Sequence, residues 1–188
     1  MHYILASASP RRKELLTKIV EDFDIVVSDF DEDSVEFKGN VEEYVKTLAK
    51  GKAQDVASKC DKNSIIIAAD TIVVIDGKIL GKPKNEDDAY NMLKLLSNNV
   101  HRVYSGIAVM NTANNIMKNE AIFTEVKFSE LTHEEIVNYI NSKEPLDKAG
   151  AYGIQGFGAL FVERINGCYY NVVGLPLNLL NKIVKEII

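Results

Sequence analysis

Long apolar runs, paired cysteines and an excess of basic residues are all missing from this chain of 188 residues. No apolar run approaches the roughly 20 residues that a membrane-spanning helix needs, so we expect no membrane partner. Cys60 and Cys168 stand outside any CxxC pattern, which argues for reduced thiols and against a zinc site. The basic residues at 11–13 follow the first apolar residues, whereas a signal peptide has the reverse order. We therefore expect a cytoplasmic protein.

The charge balance and the positions of the histidines argue against a nucleic-acid partner and against two kinds of histidine-containing site. A net charge of −5 counts against a nucleic-acid partner, because unspecific binding to nucleic acid requires an excess of basic residues. A small anionic ligand could still be met by a local basic cluster. His2, His101 and His133 are scattered, so neither a histidine metal site nor a Ser-His-Asp triad is indicated. There is no repeat and no Pro/Gly-rich linker, and we predict a single domain over residues 1–188.

Hydrophobic periodicity and turn signals predict strands and helices that alternate irregularly along the chain. The predicted strands cover residues 3–6, 23–27, 65–75, 78–80, 103–110, 121–128, 159–165 and 168–173. The predicted helices cover residues 10–19, 41–59, 86–96 and 132–141, and a last one begins at Pro176. Asp76-Gly77 and Asn166-Gly167 are typical of hairpin turns, so at least two strand pairs should be antiparallel. This pattern predicts an α/β protein with a mixed sheet.

A carboxylate stands in the middle of the most apolar stretch of the chain. Residues 65–75 have the composition of a buried strand, and Asp70 lies within them. An ionised carboxylate there is costly unless a metal, a cation or hydrogen bonds compensate it. Asp70 is therefore either a residue opening into a polar site or a buried structural acid. Glu32 could be a second carboxylate for Mg²⁺, although taken alone it fits a solvated surface acid.

Residues 7–12, SASPRR, place a hydroxyl-rich turn before the start of a helix. Ser9 fits the N-cap and Pro10 the first helical position. The free N–H groups of a helix start suit phosphate, and Arg11 and Arg12 add further donors. The segment is not a P-loop, because GxxxxGK[ST] is absent. A plain N-cap with solvated arginines explains this hexapeptide equally well.

Two lysines and a glycine-rich segment complete the candidate set. Lys52 lies on the apolar stripe of the longest predicted helix, which fits either a snorkelling side chain or one that reaches a polyphosphate. Lys82 follows the first predicted hairpin and fits a loop lysine. Residues 147–156 hold three glycines within seven residues, which allow a close approach of the backbone to a ligand. Gln155 offers a donor and an acceptor, as reading a base edge requires. A glycine-rich turn before a strand is the alternative.

Five segments occur in the order and spacing of one known family: SASPRR at 7–12, AADT at 68–71, GKP at 81–83, DKAGAYGIQG at 147–156 and GLPL at 174–177. Through them the chain resembles the Maf proteins over nearly its whole length. The resemblance implies an elongated mixed β-sheet flanked by helices with a deep cleft between two lobes, similar to the inosine triphosphatase (Ham1-like) fold. It also implies a homodimer, since dimers are common in that family.

The same resemblance implies a nucleoside triphosphate pyrophosphatase, which releases a nucleoside monophosphate and pyrophosphate. Asp70 corresponds to the catalytic aspartate of the family, the proton acceptor. Thr71 and Gln155 are similar to the subgroup that acts on dTTP and UTP. The other residues that match family positions in the cleft or positions tied to substrate choice are Arg11, Glu32, Lys52 and Lys82.

From these matches we expect Asp70 and Glu32 to help hold Mg²⁺ or Mn²⁺ against the phosphates. Asp70 would also orient the attacking water or accept its proton. Side chains expected to neutralise or hydrogen-bond the phosphates are Ser9, Arg11, Arg12, Lys52 and Lys82.

Three other interpretations stay open. The chain could be a pyrophosphatase for modified or purine nucleotides, or a nucleotide-binding regulator of septum formation without turnover. It could also be a nucleic-acid-binding protein that uses the basic residues at 11–13, although the acidic balance counts against this. A panel of nucleoside triphosphates separates the first two from a dTTP/UTP pyrophosphatase.

Overall fold

The computed structural model describes residues 1–60 and 63–188. The chain divides into two compact units. The first consists of Met1–Asp70, Ser105–Ile122 and Gly174–Ile188, and the second of Thr71–Tyr104 and Phe123–Val173. The consecutive residues Asp70 and Thr71 therefore belong to different units. In the described part of the chain, no helix is long and apolar enough to cross a membrane.

A mixed β-sheet with helices around it confirms the predicted fold class. The strands are β1 (His2–Leu5), β2 (Asp24–Ile25), β3 (Ser64–Ile75), β4 (Lys78–Leu80), β5 (Val100–Asn111), β6 (Ile116–Phe128) and β7 (Val162–Asn166). Among the described residues they form one seven-stranded sheet in the order β2-β1-β3-β5-β6-β7, and β4 pairs with β3. Strand β1 runs parallel to β2 and β3, whereas β3–β4 and β6–β7 are antiparallel.

The helices begin where the sequence offers capping side chains. They are α1 (Pro10–Leu16), α2 (Val41–Lys59), α3 (Glu86–Leu96), α4 (His133–Asn141), α5 (Tyr169–Val173) and α6 (Leu177–Ile187). Short 3-10 segments cover Glu32–Ser34, Glu144–Asp147, Ala149–Ala151 and Phe157–Phe161. The Asn40 side chain caps α2 by accepting from the backbone N–H of Glu43. Thr132 and Glu135 form a capping box at α4, in which each side chain accepts from the backbone N–H of the other residue.

In the first unit, small side chains let α2 pack closely on the sheet. Ala49, Ala53 and Val56 of α2 are fully buried in a core cluster with residues of β1, β3 and β5. A Cβ atom at Gly106 would collide with the backbone of Val45, so glycine is what permits this approach. The core thus fixes the face of α2 that carries residues 45, 49, 52 and 56.

In the second unit, rings pack edge to face beside the sheet. Phe128 of β6 contacts the rings of His101, Tyr152 and Phe161 at centroid distances of 5.0, 4.7 and 6.0 Å.

The predicted hairpin between β3 and β4 is confirmed, because the two strands pair antiparallel and the turn residues Asp76 and Gly77 have φ angles of 49° and 74°. Both values suit a two-residue hairpin turn.

Several predicted boundaries are wrong, and one segment that we predict as a strand forms a helix in the structure. Helix α1 ends at Leu16, short of the expected residue 19, and β2 has two residues where five were expected. The strand expected at 159–165 begins only at Val162, after a 3-10 segment.

Residues 168–173 do not form the predicted hairpin partner of β7. The Thr124 hydroxyl accepts from the backbone N–H of Cys168 at 3.0 Å and donates to its carbonyl at 3.1 Å. The chain after Gly167 therefore turns into helix α5, and β6 pairs with β7 instead.

Candidate active site

Asp70 lies on β3 as the last residue of the first unit, and it is only 6% exposed. Its chain neighbours Ala68 and Ala69 are fully buried, so the carboxylate stands on a buried stretch of the strand. The Nζ of Lys52 lies 2.5 Å from Asp70 Oδ1, and the two side chains are 12% and 9% exposed. This ammonium is the compensating cation that a buried carboxylate requires.

Lys52 bridges two carboxylates. Its Nζ also lies 2.9 Å from Oε1 of Glu32, whose side chain is 53% exposed. Glu32 begins a 3-10 segment that the Asp31 side chain caps, accepting from the backbone N–H of Asp33. Lys52 therefore does not snorkel into solvent, and Glu32 is not merely a solvated acid. The structure brings together the two acids that the sequence paired as a metal site.

Arg12 ties helix α1 to the backbone beside Asp70. Its Nε donates to the carbonyl of Gly174 at 2.9 Å, and its Nη1 donates to the carbonyl of Ala69 at 2.8 Å. Ser9 caps the helix, accepting from the Arg12 backbone N–H at 3.5 Å. Burial lowers the pKa of the Arg12 guanidinium, and the negative charge of Asp70 opposes that shift. Arg12 is thus not a solvated arginine: it fixes the strand at the residue before Asp70.

Arg11 is partly buried in the first turn of the same helix. That Arg11, Arg12 and Ser9 contact a substrate stays a prediction.

The remaining candidates belong to the second unit. Thr71 follows Asp70 directly on β3 and is half-buried, and Lys82 is exposed just beyond β4. Gln155 is exposed between the 3-10 segments Ala149–Ala151 and Phe157–Phe161. The contribution of these three residues to substrate binding stays a prediction.

Tyr44 is a neighbour of the acidic pair that sequence reasoning missed. From sequence it fits the apolar stripe of the longest helix, but in the structure it lies close to carboxylates. Burial raises the pKa of its phenol, and the negative charges of Asp70 and Glu32 raise it further. The signal in the sequence was its position eight residues before Lys52, which places both on one face of α2.

Oxygen ligands are the chemistry that the acidic pair offers. Asp70 Oδ1 and Glu32 Oε1 both contact one positive centre, the Lys52 ammonium. Within residues 1–60 and 63–188, no group of three or more His, Cys, Asp or Glu side chains could hold a metal ion. Mg²⁺ is typically held by one or two carboxylates together with phosphate oxygens of the substrate, so a pair of acids is a sufficient protein contribution for a cation that arrives with a polyphosphate.

Comparisons with known proteins agree with these motifs. A family model described as Maf-like protein matches residues 2–187. A protein of Clostridium novyi (strain NT) named dTTP/UTP pyrophosphatase is 62% identical over 186 residues, which is 99% of this chain and 97% of that protein. A protein of the same name from Clostridium botulinum (strain Alaska E43 / Type E3) is 57% identical over 188 residues, and the match covers 100% of both.

A solved structure supports the fold. The Ham1 protein of Staphylococcus aureus superimposes with a TM-score of 0.52 at 16% identity, and the match covers 99% of each chain. At this identity the likeness concerns the fold alone. The family model and the relatives cover nearly the entire sequence, and this chain belongs to the Maf family.

Proposed function

We propose that this chain is a nucleoside triphosphate pyrophosphatase that hydrolyses dTTP and UTP to the nucleoside monophosphate and pyrophosphate. One observation carries the proposal: a buried aspartate is held against a lysine that also binds a second carboxylate. The names of relatives that are 57–62% identical over nearly their whole length supply the substrates. No observation favours a purine nucleotide or a role without turnover.

Hydrolysis of a phosphoanhydride requires mainly that the protein position the reactants and stabilise charge. Asp70 is suited to orient the attacking water and accept its proton, because strand β3 and the hydrogen bond from Arg12 to the Ala69 carbonyl fix its backbone. Its Oδ1 contacts Lys52, and we assign the contact with water to Oδ2. Lys52 is held ready to neutralise negative charge on the phosphates.

A divalent cation, Mg²⁺ or Mn²⁺, fits the acidic pair. The two carboxylates already converge on one cation, and oxygen donors are what these metals prefer. Glu32 and Asp70 would hold the metal, and substrate phosphates would complete its shell. When bound, such a metal withdraws charge from the phosphates and makes the phosphorus easier to attack.

The base preference is assigned to the second unit. Gln155 presents an amide that can both donate to and accept from a pyrimidine edge, and Thr71 adds a hydroxyl. A site that hydrogen-bonds a base rejects analogues that lack the partner group. Lys82, together with Ser9, Arg11 and Arg12, is proposed to contact the phosphates. The cytoplasm as compartment is a further proposal from the sequence, and a homodimer as assembly is one from the family resemblance.

The test is a panel of dTTP, UTP, CTP, dGTP and 7-methyl-GTP with Mg²⁺, with pyrophosphate and orthophosphate measured separately. The expected result is pyrophosphate release that is fastest with dTTP and UTP. Orthophosphate alone would contradict the proposed reaction. Fastest turnover of a purine nucleotide would contradict the proposed substrates, and tight binding without turnover would favour a regulator.

A further inference from the structure

One carboxylate organises the glycine-rich segment that carries Gln155. Oε2 of Glu144 accepts from the backbone N–H of Phe157 at 2.9 Å. Its Oε1 accepts from the backbone N–H of Gly158 at 3.4 Å and from the hydroxyl of Tyr139 at 2.8 Å. The Glu144 carboxylate therefore accepts three hydrogen bonds, and two of the donors are backbone N–H groups just after Gln155. Hydrogen bonds to a charged acceptor are stronger than neutral ones.

Tyr139 extends this arrangement to the other side of Gln155. Its hydroxyl donates to Glu144 and accepts from the backbone N–H of Gly153 at 3.1 Å. Burial raises the pKa of the Tyr139 phenol, and the Glu144 charge raises it further, so the hydroxyl keeps the proton that it donates. The backbone is thus held two residues before Gln155 and two residues after it.

The glycines of this segment make room for the two side chains. A Cβ atom at Gly156 would collide with the Glu144 carboxylate. A Cβ atom at Gly158 would lie 2.8 Å from the carbonyl oxygen of Gly153 and 2.9 Å from the Tyr139 hydroxyl. From sequence, Gly156 is one of the three glycines within residues 147–156 that suggest a close approach of the backbone to a ligand. At positions 156 and 158 the close neighbours are the protein's own Glu144 and Tyr139.

We propose that Glu144 and Tyr139 are positioning residues that hold residues 153–158 in the form that presents Gln155 to the base of the nucleotide. Gln155 itself is exposed, whereas the amides on both sides of it are tied to buried or half-buried groups. Its placement therefore depends on the clamp formed by Glu144 and Tyr139. The inference rests on the proposed function, because it takes Gln155 as the residue that discriminates bases.

The experiment measures kcat and KM for dTTP, UTP and dGTP in single and double variants. Glu144→Gln keeps the size of the side chain but removes its charge and places an NH2 group where an acceptor is needed. We expect the ratio of kcat/KM for dTTP to that for dGTP to fall about tenfold, the effect of losing one charged hydrogen bond. The loss should appear mainly in KM for the pyrimidines, because base contacts are made equally in the ground and transition states.

A double variant links the effect to Gln155. Gln155→Ala alone should lower the dTTP/dGTP ratio at least as much, and Glu144→Gln should change it less than twofold further in that background. Tyr139→Phe removes one oxygen and should lower the ratio in the same direction, which keeps the test available if Glu144→Gln folds poorly. Glu130→Gln is the control, since Glu130 is an exposed acid of the same unit, and the ratio should stay unchanged.

The failures can be told apart. If the wild-type protein releases no pyrophosphate from any nucleotide, the proposed function fails and the inference falls with it. If the wild type prefers pyrimidines and Gln155→Ala removes the preference, but Glu144→Gln and Tyr139→Phe keep it, the inference alone is overturned. If Gln155→Ala leaves the ratio unchanged, Gln155 does not read the base and the inference is overturned as well.

Discussion

Lys52 and Asp70 form a buried ion pair, with Nζ of the lysine 2.5 Å from Oδ1 of the aspartate. The lysine comes from α2 and the aspartate from β3, so the pair joins a helix to the strand beneath it. Since Lys52 also contacts Glu32, one positive side chain faces two negative ones.

Replacing the aspartate should stop the reaction and spare binding. Asp70→Asn keeps the shape of the side chain but cannot accept a proton, and we expect kcat to fall by about 10²- to 10⁴-fold. The dissociation constant for dTTP, measured by calorimetry, should change by less than about fivefold. Asp76→Asn is the matched control, because Asp76 is exposed in the β3–β4 turn and asparagine tolerates its positive φ. An active Asp70→Asn protein would refute the catalytic assignment.

Removing the lysine should destabilise the fold. Lys52→Met leaves the Asp70 charge buried without its ammonium, and we expect the free energy of unfolding to drop by about 3 kcal/mol. The double variant Asp70→Asn with Lys52→Met should recover part of that loss, because no buried charge is then left unpaired and the remaining carboxylate, Glu32, is half-exposed to water. Urea denaturation measures both values. Lys50→Met, exposed on the same helix, should stay within about 0.5 kcal/mol of the wild type. Equal losses at positions 50 and 52 would rule out a special role for the ion pair.

Lys52 should also compete with the divalent cation. The ammonium contacts the same two carboxylates that are proposed to hold the metal, so a metal without nucleotide must displace it or bind beside it. We expect Mn²⁺ alone, followed by electron paramagnetic resonance, to bind Lys52→Met about tenfold more tightly than the wild type, since roughly 1.4 kcal/mol of repulsion is removed. Adding Asp70→Asn should abolish the gain. Weaker binding to Lys52→Met would show that the carboxylates are not the metal site.

The buried histidine of the second unit should make stability depend on pH. His101 is 1% exposed, and burial lowers its pKa from 6.5 to about 4. Between pH 6.5 and pH 4 the His101 imidazole is mostly protonated in the unfolded chain but mostly neutral in the folded chain. The free energy of unfolding should therefore decrease as the pH falls from 6.5 to 4, by about 3 kcal/mol from this residue.

Comparing the wild type with His101→Gln isolates the contribution of this histidine to the pH dependence of stability. Glutamine does not titrate, but it can still form a hydrogen bond with the Tyr152 hydroxyl, which lies 2.8 Å from His101 Nε2 in the wild type. The stability difference between the two proteins should shrink as the pH falls through that window. A curve for His101→Gln that runs parallel to that of the wild type would contradict the prediction.

Long periodic elements could be predicted from the sequence, because local signals and burial agree in them. Helix α2 and helix α3 have the predicted bounds, and the Asp76-Gly77 turn forms the expected hairpin. The hairpin predicted at Asn166-Gly167 is wrong because a tertiary contact competes with the local turn signal. The Thr124 hydroxyl, 44 residues away in the chain, hydrogen-bonds to the backbone of Cys168. A turn motif specifies a change of direction but not the partner that the chain meets afterwards.

Only the part of the candidate site that depends on local sequence properties could be predicted from the sequence. Asp70 stands out because its neighbours in the chain are apolar, a local property. That its partner is Lys52, and that Lys52 also holds Glu32, depends on how α2 lies on the sheet, which periodicity alone leaves open. Arg12 shows the limit most clearly, because its backbone partners at Ala69 and Gly174 lie 57 and 162 residues away.

The most direct measurement is the product ratio for dTTP with Mg²⁺, read by ³¹P NMR for the wild type and for Asp70→Asn. We expect dTMP and pyrophosphate in equal amounts from the wild type, and no detectable amount of either from the variant over the same time. Formation of dTDP with orthophosphate, or equal turnover by both proteins, would contradict it.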